Sequence, residues 1–181
     1  GIPEKSGSCP AEIGYEERDG AGYLHFPFSN GAMSTTQCVK LRDAFLHAAT
    51  GGARVLVLMG GPDFWSNGID LNVIEAAASP AEESWRNIEA MNDLARAIIT
   101  ATGLITISAI QGNAGAGGVF LALAADRVYA RSGVVLNPHY KAMGNLYGSE
   151  YWTYLLPRRV GEVRARELTE LRLPIGTAAA R

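Results

Sequence analysis

Cysteine and histidine are scarce in this chain. Two cysteines, Cys9 and Cys38, and three histidines, His25, His47 and His139, stand among 181 residues. Their spacing builds no metal-ligand pattern, and two thiols make no disulfide framework. Cys38 falls in a helical pattern, so reduced thiols in a cytoplasmic protein without a metal are expected. Neither sign of charge dominates: 16 Lys and Arg against 18 Asp and Glu leave a formal charge of −2. That balance supplies no basic field for nucleic acid. No apolar run reaches the roughly 18 residues of a membrane span. The opening stretch GIPEKSGSCPAE has no apolar core of a secretory signal, and its Pro, Ser and Gly read as a linker over residues 1–11. Residues 12–181 are enough for one domain with a sizeable core.

Glycine is abundant, and its clustering organises the chain. Leu104–Asp126 reads LITISAIQGNAGAGGVFLALAAD. The β-branched start suits a strand buried on both faces. Gly112, Gly115, Gly117 and Gly118 form a turn, and Val119, Phe120, Leu121, Leu123 and Ala124 recur at helical spacing. Such a turn points unpaired backbone N–H groups at a helix N-terminus, a place for a phosphate or an oxyanion. Equally, the glycines could serve only close packing of strand on helix. A second strand–loop–helix unit runs from Arg54–Met59 through GGPDFWSNGIDL to a helix at Leu71–Ala78. Ligands gather at the carboxyl ends of parallel strands, so the two loops are expected to share one site. Phe64 and Trp65 read as packing.

The remaining segments follow the same alternation. Glu12–Arg18 and Ala21–Phe28 flank Asp19-Gly20, a hairpin signal. His25 lies opposite the apolar face and reads as an ordinary strand residue. Ser34, Thr35 or Thr36 caps a helix that ends near Thr50 at Gly51-Gly52. Ser79 caps a long helix over Ala81–Thr102, with Pro80 at its start and a stripe of Trp85, Ile88, Met91, Leu94 and Ile98. Arg127–Ala130 and Val134–Leu136 read as strands. Asn137–Gly161 reads as a long loop dense in polar and aromatic groups, a composition more often functional than filler. Glu162–Leu171 is helical, and Leu173–Arg181 begins another helix.

Three motifs give these elements a family. Trp65-Ser66-Asn67-Gly68-Ile69-Asp70-Leu71 is similar to the Phe-x-Ala-Gly-x-Asp-Leu loop of the crotonase, or enoyl-CoA hydratase/isomerase, superfamily. Gly112-Asn113-Ala114-Gly115-Ala116-Gly117-Gly118 resembles its glycine turn, and Leu156-Pro157-Arg158-Arg159-Val160-Gly161 its closing motif. The resemblance implies an α/β spiral of repeated ββα units of the ClpP/crotonase kind, acyl-CoA as substrate, and a homo-oligomer. It also implies that the C-terminal helical part of the fold is truncated here, which would leave apolar surface exposed. By the same resemblance the N–H groups of Asn67 and Gly117 form an oxyanion hole for a thioester carbonyl. Ser66, Gly68, Asp70, Gly118 and Tyr147 are expected to line the substrate site.

The departures narrow the chemistry. Phe120 stands where hydratases carry one catalytic Glu, and His139 follows Pro138 where they carry the second. Hydration of a double bond is therefore not expected. The segments around these sites resemble the C-terminal crotonase-like domain of hydrogenase maturation proteins of the HypX (HoxX) type. That resemblance implies a preceding formyltransferase-like domain that passes formyl to CoA, and a crotonase-like domain that splits formyl-CoA into CO and CoA. Tyr140 and Glu150 are the polar pair chosen for proton handling, with His139 in reserve. Burial would raise the Glu150 pKa toward neutrality; pairing with Lys141 or Arg158 would make it merely structural. Two other readings stay open: an isomerase or hydrolase acting on a larger acyl-CoA, and a non-catalytic module for CoA binding or oligomerisation.

Overall fold

The computed structural model describes residues 12–140, 148–171 and 173–180; the expected linker lies outside them. The hairpin forms between β1 (Gly14–Arg18) and β2 (Ala21–Phe26), with Asp19 and Gly20 both at positive φ, as a tight two-residue turn demands. His25 pairs with Glu16 at 3.4 Å on the face opposite Leu24 and Phe26, as expected of a strand histidine. After a single helical turn and β3 (Ala32–Met33) comes α1 (Thr35–Ala49). Ser34 is its cap: the hydroxyl accepts from Gln37 N while the Gln37 side chain accepts from Ser34 N.

From here the chain repeats. β4 (Val55–Gly60), β5 (Phe64–Ser66) and β6 (Gly68–Ile69) lead into α2 (Leu71–Ala76) and α3 (Pro80–Ile99). β7 (Ile105–Ile110) and β8 (Asn113–Gly115) lead into α4 (Gly117–Leu123). β9 (Arg127–Ala130) and β10 (Val135–Asn137) lead to α5 (Trp152–Val160) and α6 (Glu162–Glu170). One strand of each repeat joins a five-stranded sheet ordered β1-β2-β4-β7-β9, parallel but for β1. The other joins a second sheet, in which β8 lies between β5 and β10. Sheets and helices close on a core of Leu24, Phe26, Phe45, Leu58, Trp65 and Met91. Trp65 is fully buried, edge-on to Phe26 at 5.4 Å, and donates its indole N–H to Leu58 O.

The structure corrects three expectations. Ser79 stands at the N-cap of α3, but its side chain makes no capping bond. Pro80 and two first-turn glutamates serve instead, and Glu83 also accepts from Thr35 Oγ1 at 2.6 Å, tying α3 to α1. The stretch Asn137–Gly161 is not all loop: α5 forms through it despite Pro157, whose missing N–H removes one helical bond. Tertiary packing outweighs that loss. Leu155 and Leu156 are buried, and the Arg159 guanidinium donates to Leu123 O, at the end of α4, and to Ala125 O just beyond it. Finally, Leu173–Arg181 does not start a helix. Pro174 and Gly176 disfavour one, and β11 (Ile175–Gly176) pairs antiparallel with the open edge of β10.

Candidate active site

The loop between β5 and α2 spends most of its polar groups on itself. Asp70 accepts from Asn72 N (3.0 Å) and Val73 N (3.2 Å), an N-cap for α2. Ser66 is fully buried and its hydroxyl accepts from Gly68 N at 3.1 Å. Asn67 donates its backbone N–H to Gly31 O (2.7 Å) and its amide to Asn30 O (2.6 Å). Expected as an oxyanion donor, the Asn67 N–H is instead held by Gly31 O in the turn before β3. Ser66 and Asp70, expected to touch substrate, shape the loop. Asp70 N–H goes to Met33 O at 3.0 Å.

Gly117 and Gly118 open α4 and are buried. The turn before them is strained. Ala116 holds φ 45° and ψ −123°, a conformation that side chains disfavour, pinned by a bond from its N–H to Asn137 O at 2.9 Å. Gly118 backs onto the Ser66 carbonyl, and a Cβ at Gly68 would stand 3.3 Å from Gly117 N. The two loops therefore meet at Gly68 and Gly117. Among the described residues no acceptor is bonded to Gly117 N–H.

Glu150 lies on this junction. A Cβ at Gly117 would collide with its carboxylate, standing 2.7 Å from Oε2. Only glycine leaves room for that contact. Glu150 is 1 % exposed, and Tyr140 donates its hydroxyl to Glu150 Oε2 at 2.5 Å. Burial pushes the Glu150 carboxyl above the ordinary range, opposed by hydrogen bonds from Tyr140 and Ser149. Tyr140 is pushed well upward by burial, by the Glu150 charge and by their shared bond. Beneath, on α1, burial and the Glu150 charge raise the Cys38 thiol to about 12, so it stays protonated and inert. Sequence-based reading thus pairs Tyr140 with Glu150 as found.

The pair is enclosed by aromatic rings. Phe120, one turn into α4, stacks on Tyr140 at 5.2 Å and tilts against Trp152 at 6.0 Å. On the opposite side, a Cβ at Gly148 would enter the Tyr140 ring, and Gly148 takes φ +84°. Arg158 lies over the Tyr154 ring rather than on Glu150; Lys141 and Tyr147 lie outside the described residues. His139 donates its N–H to Asn137 O at 2.9 Å, and its Nδ1 is buried with no partner among the described residues. It makes no bond to Glu150 or Tyr140 among them. Asn92 was not legible as a site residue: its Oδ1 on α3 accepts from Glu150 N at 2.7 Å. Among the described residues no group of three or more His, Cys, Asp or Glu gathers as metal ligands.

Comparison with known proteins agrees with this geometry. The enoyl-CoA hydratase/isomerase family model matches residues 23–181. This chain belongs to the enoyl-CoA hydratase/isomerase family. Its spiral of strand–strand–helix repeats is the crotonase fold; an enoyl-CoA hydratase from Thermoplasma volcanium superposes on 93 % of the chain with TM-score 0.82 at 24 % identity. Within the family the chain is 58 % identical over 180 residues to the hydrogenase maturation factor HoxX of Bradyrhizobium diazoefficiens, 99 % of this chain and 32 % of that protein. HypX from Aquifex aeolicus, solved in complex with tetrahydrofolic acid, matches at TM-score 0.92 and 56 % identity, over 93 % of this chain and 30 % of that one. The chain therefore spans about a third of these relatives and corresponds to their crotonase-like part.

Proposed function

We propose that this domain splits formyl-CoA into CO and CoA, and that the CO serves maturation of a NiFe hydrogenase. The observation that carries the reading is the buried Tyr140–Glu150 bond resting on Gly117. A hydratase needs two carboxylates about an alkene; here Phe120 and His139 replace them, and one carboxylate with one phenol takes their place. Gly117 N–H holds the formyl oxygen as a fixed donor that needs no reorganisation. Glu150 takes the proton from the formyl carbon. The C–H electron pair stays on carbon, the C–S bond breaks with its pair going to sulfur, and CO departs. Glu150 or Tyr140 then returns the proton to the thiolate. The sum is HCO–SCoA to CO and HSCoA, with no oxidant or reductant.

A desolvated carboxylate is a stronger base than one in water, which suits abstraction of so weakly acidic a proton. The aromatic enclosure of Phe120, Tyr140 and Trp152 keeps water from the thioester. In the longer relatives the remaining two thirds leave room for the formyltransferase-like partner domain, and tetrahydrofolic acid bound to HypX fits a one-carbon donor there. The test supplies formyl-CoA to the chain and traps CO with a reduced haem protein, following free thiol in parallel. CO and thiol rising one for one is the expected result. Thiol without CO would make the domain a thioesterase, and neither product would leave it a binding module.

A further inference from the structure

The αL backbone at Glu150 and Tyr151 is a second place where this site stores strain. Two successive non-glycine residues take φ near +55°, and Tyr151 then caps α5 without a side-chain bond. Residues with a side chain disfavour this conformation. The conformation is what lets Glu150 turn its carboxylate away from α5 and down onto Gly117. A strained turn persists only when its surroundings over-determine it. Here Trp152 N–H and Tyr154 N–H bond back to Ser149 O and Tyr151 O, which closes the turn but does not place it against the rest of the protein. Among the described residues the Tyr140 hydroxyl reaches the turn at Ser149 O (3.3 Å) and at the Glu150 carboxylate, and from a separate element Asn92 Oδ1 accepts from Glu150 N–H at 2.7 Å, 58 residues apart in sequence.

We infer that Asn92 is a positioning residue for the reaction: from the rigid flank of α3 it fixes the Glu150 turn so that the carboxylate seats on Gly117 and meets Tyr140. This rests on the proposed role of Glu150. α3 is suited to the task. Met91 and Leu94 on either side of Asn92 are buried, Asn87 one turn earlier donates to Met33 O, and Glu83 is bound by Thr35. Asn92 touches neither the carboxylate nor Gly117 through any bond among the described residues. It acts through the backbone of Glu150.

The experiment compares Asn92→Leu, which removes the acceptor, with Asn92→Asp, which keeps an oxygen in place. CO release from formyl-CoA is followed against pH, with KM read separately from kcat. Among the described residues, the titratable groups coupled to Glu150 are Tyr140 from its own segment and Cys38 from α1. Both stay neutral in the working range, so the profile reports Glu150. Asn92→Leu should lower kcat about 10- to 100-fold, the cost of a misplaced catalytic group, with KM unchanged and a displaced acidic limb. Asn92→Asp should recover most of kcat, with that limb moved to higher pH by the added negative charge. Wild-type kcat and profile in Asn92→Leu would overturn the inference, as would an Asn92→Asp no better than Asn92→Leu. Should Asn92→Leu not fold, Asn92→Ala replaces it with the same expectations. If the wild-type chain releases no CO, the proposed reaction fails, and carboxyl carbon NMR of Glu150 decides the positioning role: a midpoint equal in wild type and Asn92→Leu overturns it.

Discussion

The Phe64–Asp70 loop and the segment from Asn137 to Tyr151 both carry polar side chains to the same junction, but they use them differently. In the first, the Asp70 carboxylate caps α2, the Ser66 hydroxyl holds Gly68 N–H, and Asn67 ties the loop to Asn30 and Gly31. Those groups have backbone partners. In the second, a carboxylate is buried without a cation among the described residues, bonded by a phenol, on a turn held at positive φ. Polar atoms engaged by backbone build a shape. A carboxylate desolvated at a cost, beside a group that shares its proton, is poised for chemistry. The same residue types therefore carry opposite meanings a few ångströms apart.

Glu150→Gln breaks this comparison most severely. It keeps the volume and some of the hydrogen bonding but cannot take a proton. CO release should fall by about 10²–10⁴, the loss typical of a general base, with CoA affinity unchanged by calorimetry. Wild-type turnover would move the base to His139, whose Nδ1 has no partner among the described residues. Tyr140→Phe comes next. It removes one hydrogen bond to a charged group, about 1.5–3 kcal/mol, and so roughly 10- to 100-fold in kcat. A loss as large as that of Glu150→Gln would make Tyr140 the donor to sulfur. In the other region, Asp70→Ala should cost about 1 kcal/mol of stability as a lost N-cap, read by urea unfolding, with kcat for CO release unchanged. A collapse of kcat without loss of stability would return Asp70 to the substrate site.

What could be read in advance follows the same divide. The strands at Arg54–Met59 and Leu104–Ala109, the Asp19-Gly20 turn and the Ser34 cap are local signals, in which neighbouring residues decide the outcome; burial of the second strand on both faces did not hold, since its residues alternate and Ile105 is exposed. The Tyr140–Glu150 pairing was legible because the family's carboxylates were visibly replaced at Phe120 and His139. The bond from Asn67 N–H to Gly31 O was not legible, because a motif fixes which loop approaches the substrate but not which of its N–H groups is spent; that depends on the turn at Gly31, far off in sequence. Asn92 was invisible for a related reason. On a helix with a polar face, one asparagine among many reads as solvated. The helix at Trp152–Val160 was missed because Pro157 is a strong local signal and the Arg159 contacts that outweigh it lie on α4.

The smallest effect concerns stability against pH, and it separates the two regions without any substrate. In the unfolded chain Glu150 titrates near its ordinary value of 4.5; in the folded protein burial raises it. Between those two values the folded state holds a proton that the unfolded state has lost. Stability must therefore fall as pH rises through that window, and it is fully present only below it. Tyr140 and Cys38 are displaced in the same direction, but their windows open only above the ordinary values of 10.0 and 9.0. Between about pH 5 and pH 8 the contribution of this site is thus that of Glu150. Urea unfolding of wild type across that range should show stability declining more steeply than in Glu150→Gln, so that the variant gains on wild type as pH rises. Asp70→Ala should run parallel to wild type, displaced by a constant. Parallel curves for wild type and Glu150→Gln would mean that the buried carboxyl is not strained toward its protonated form, and the contrast between the two loops would lose its energetic basis.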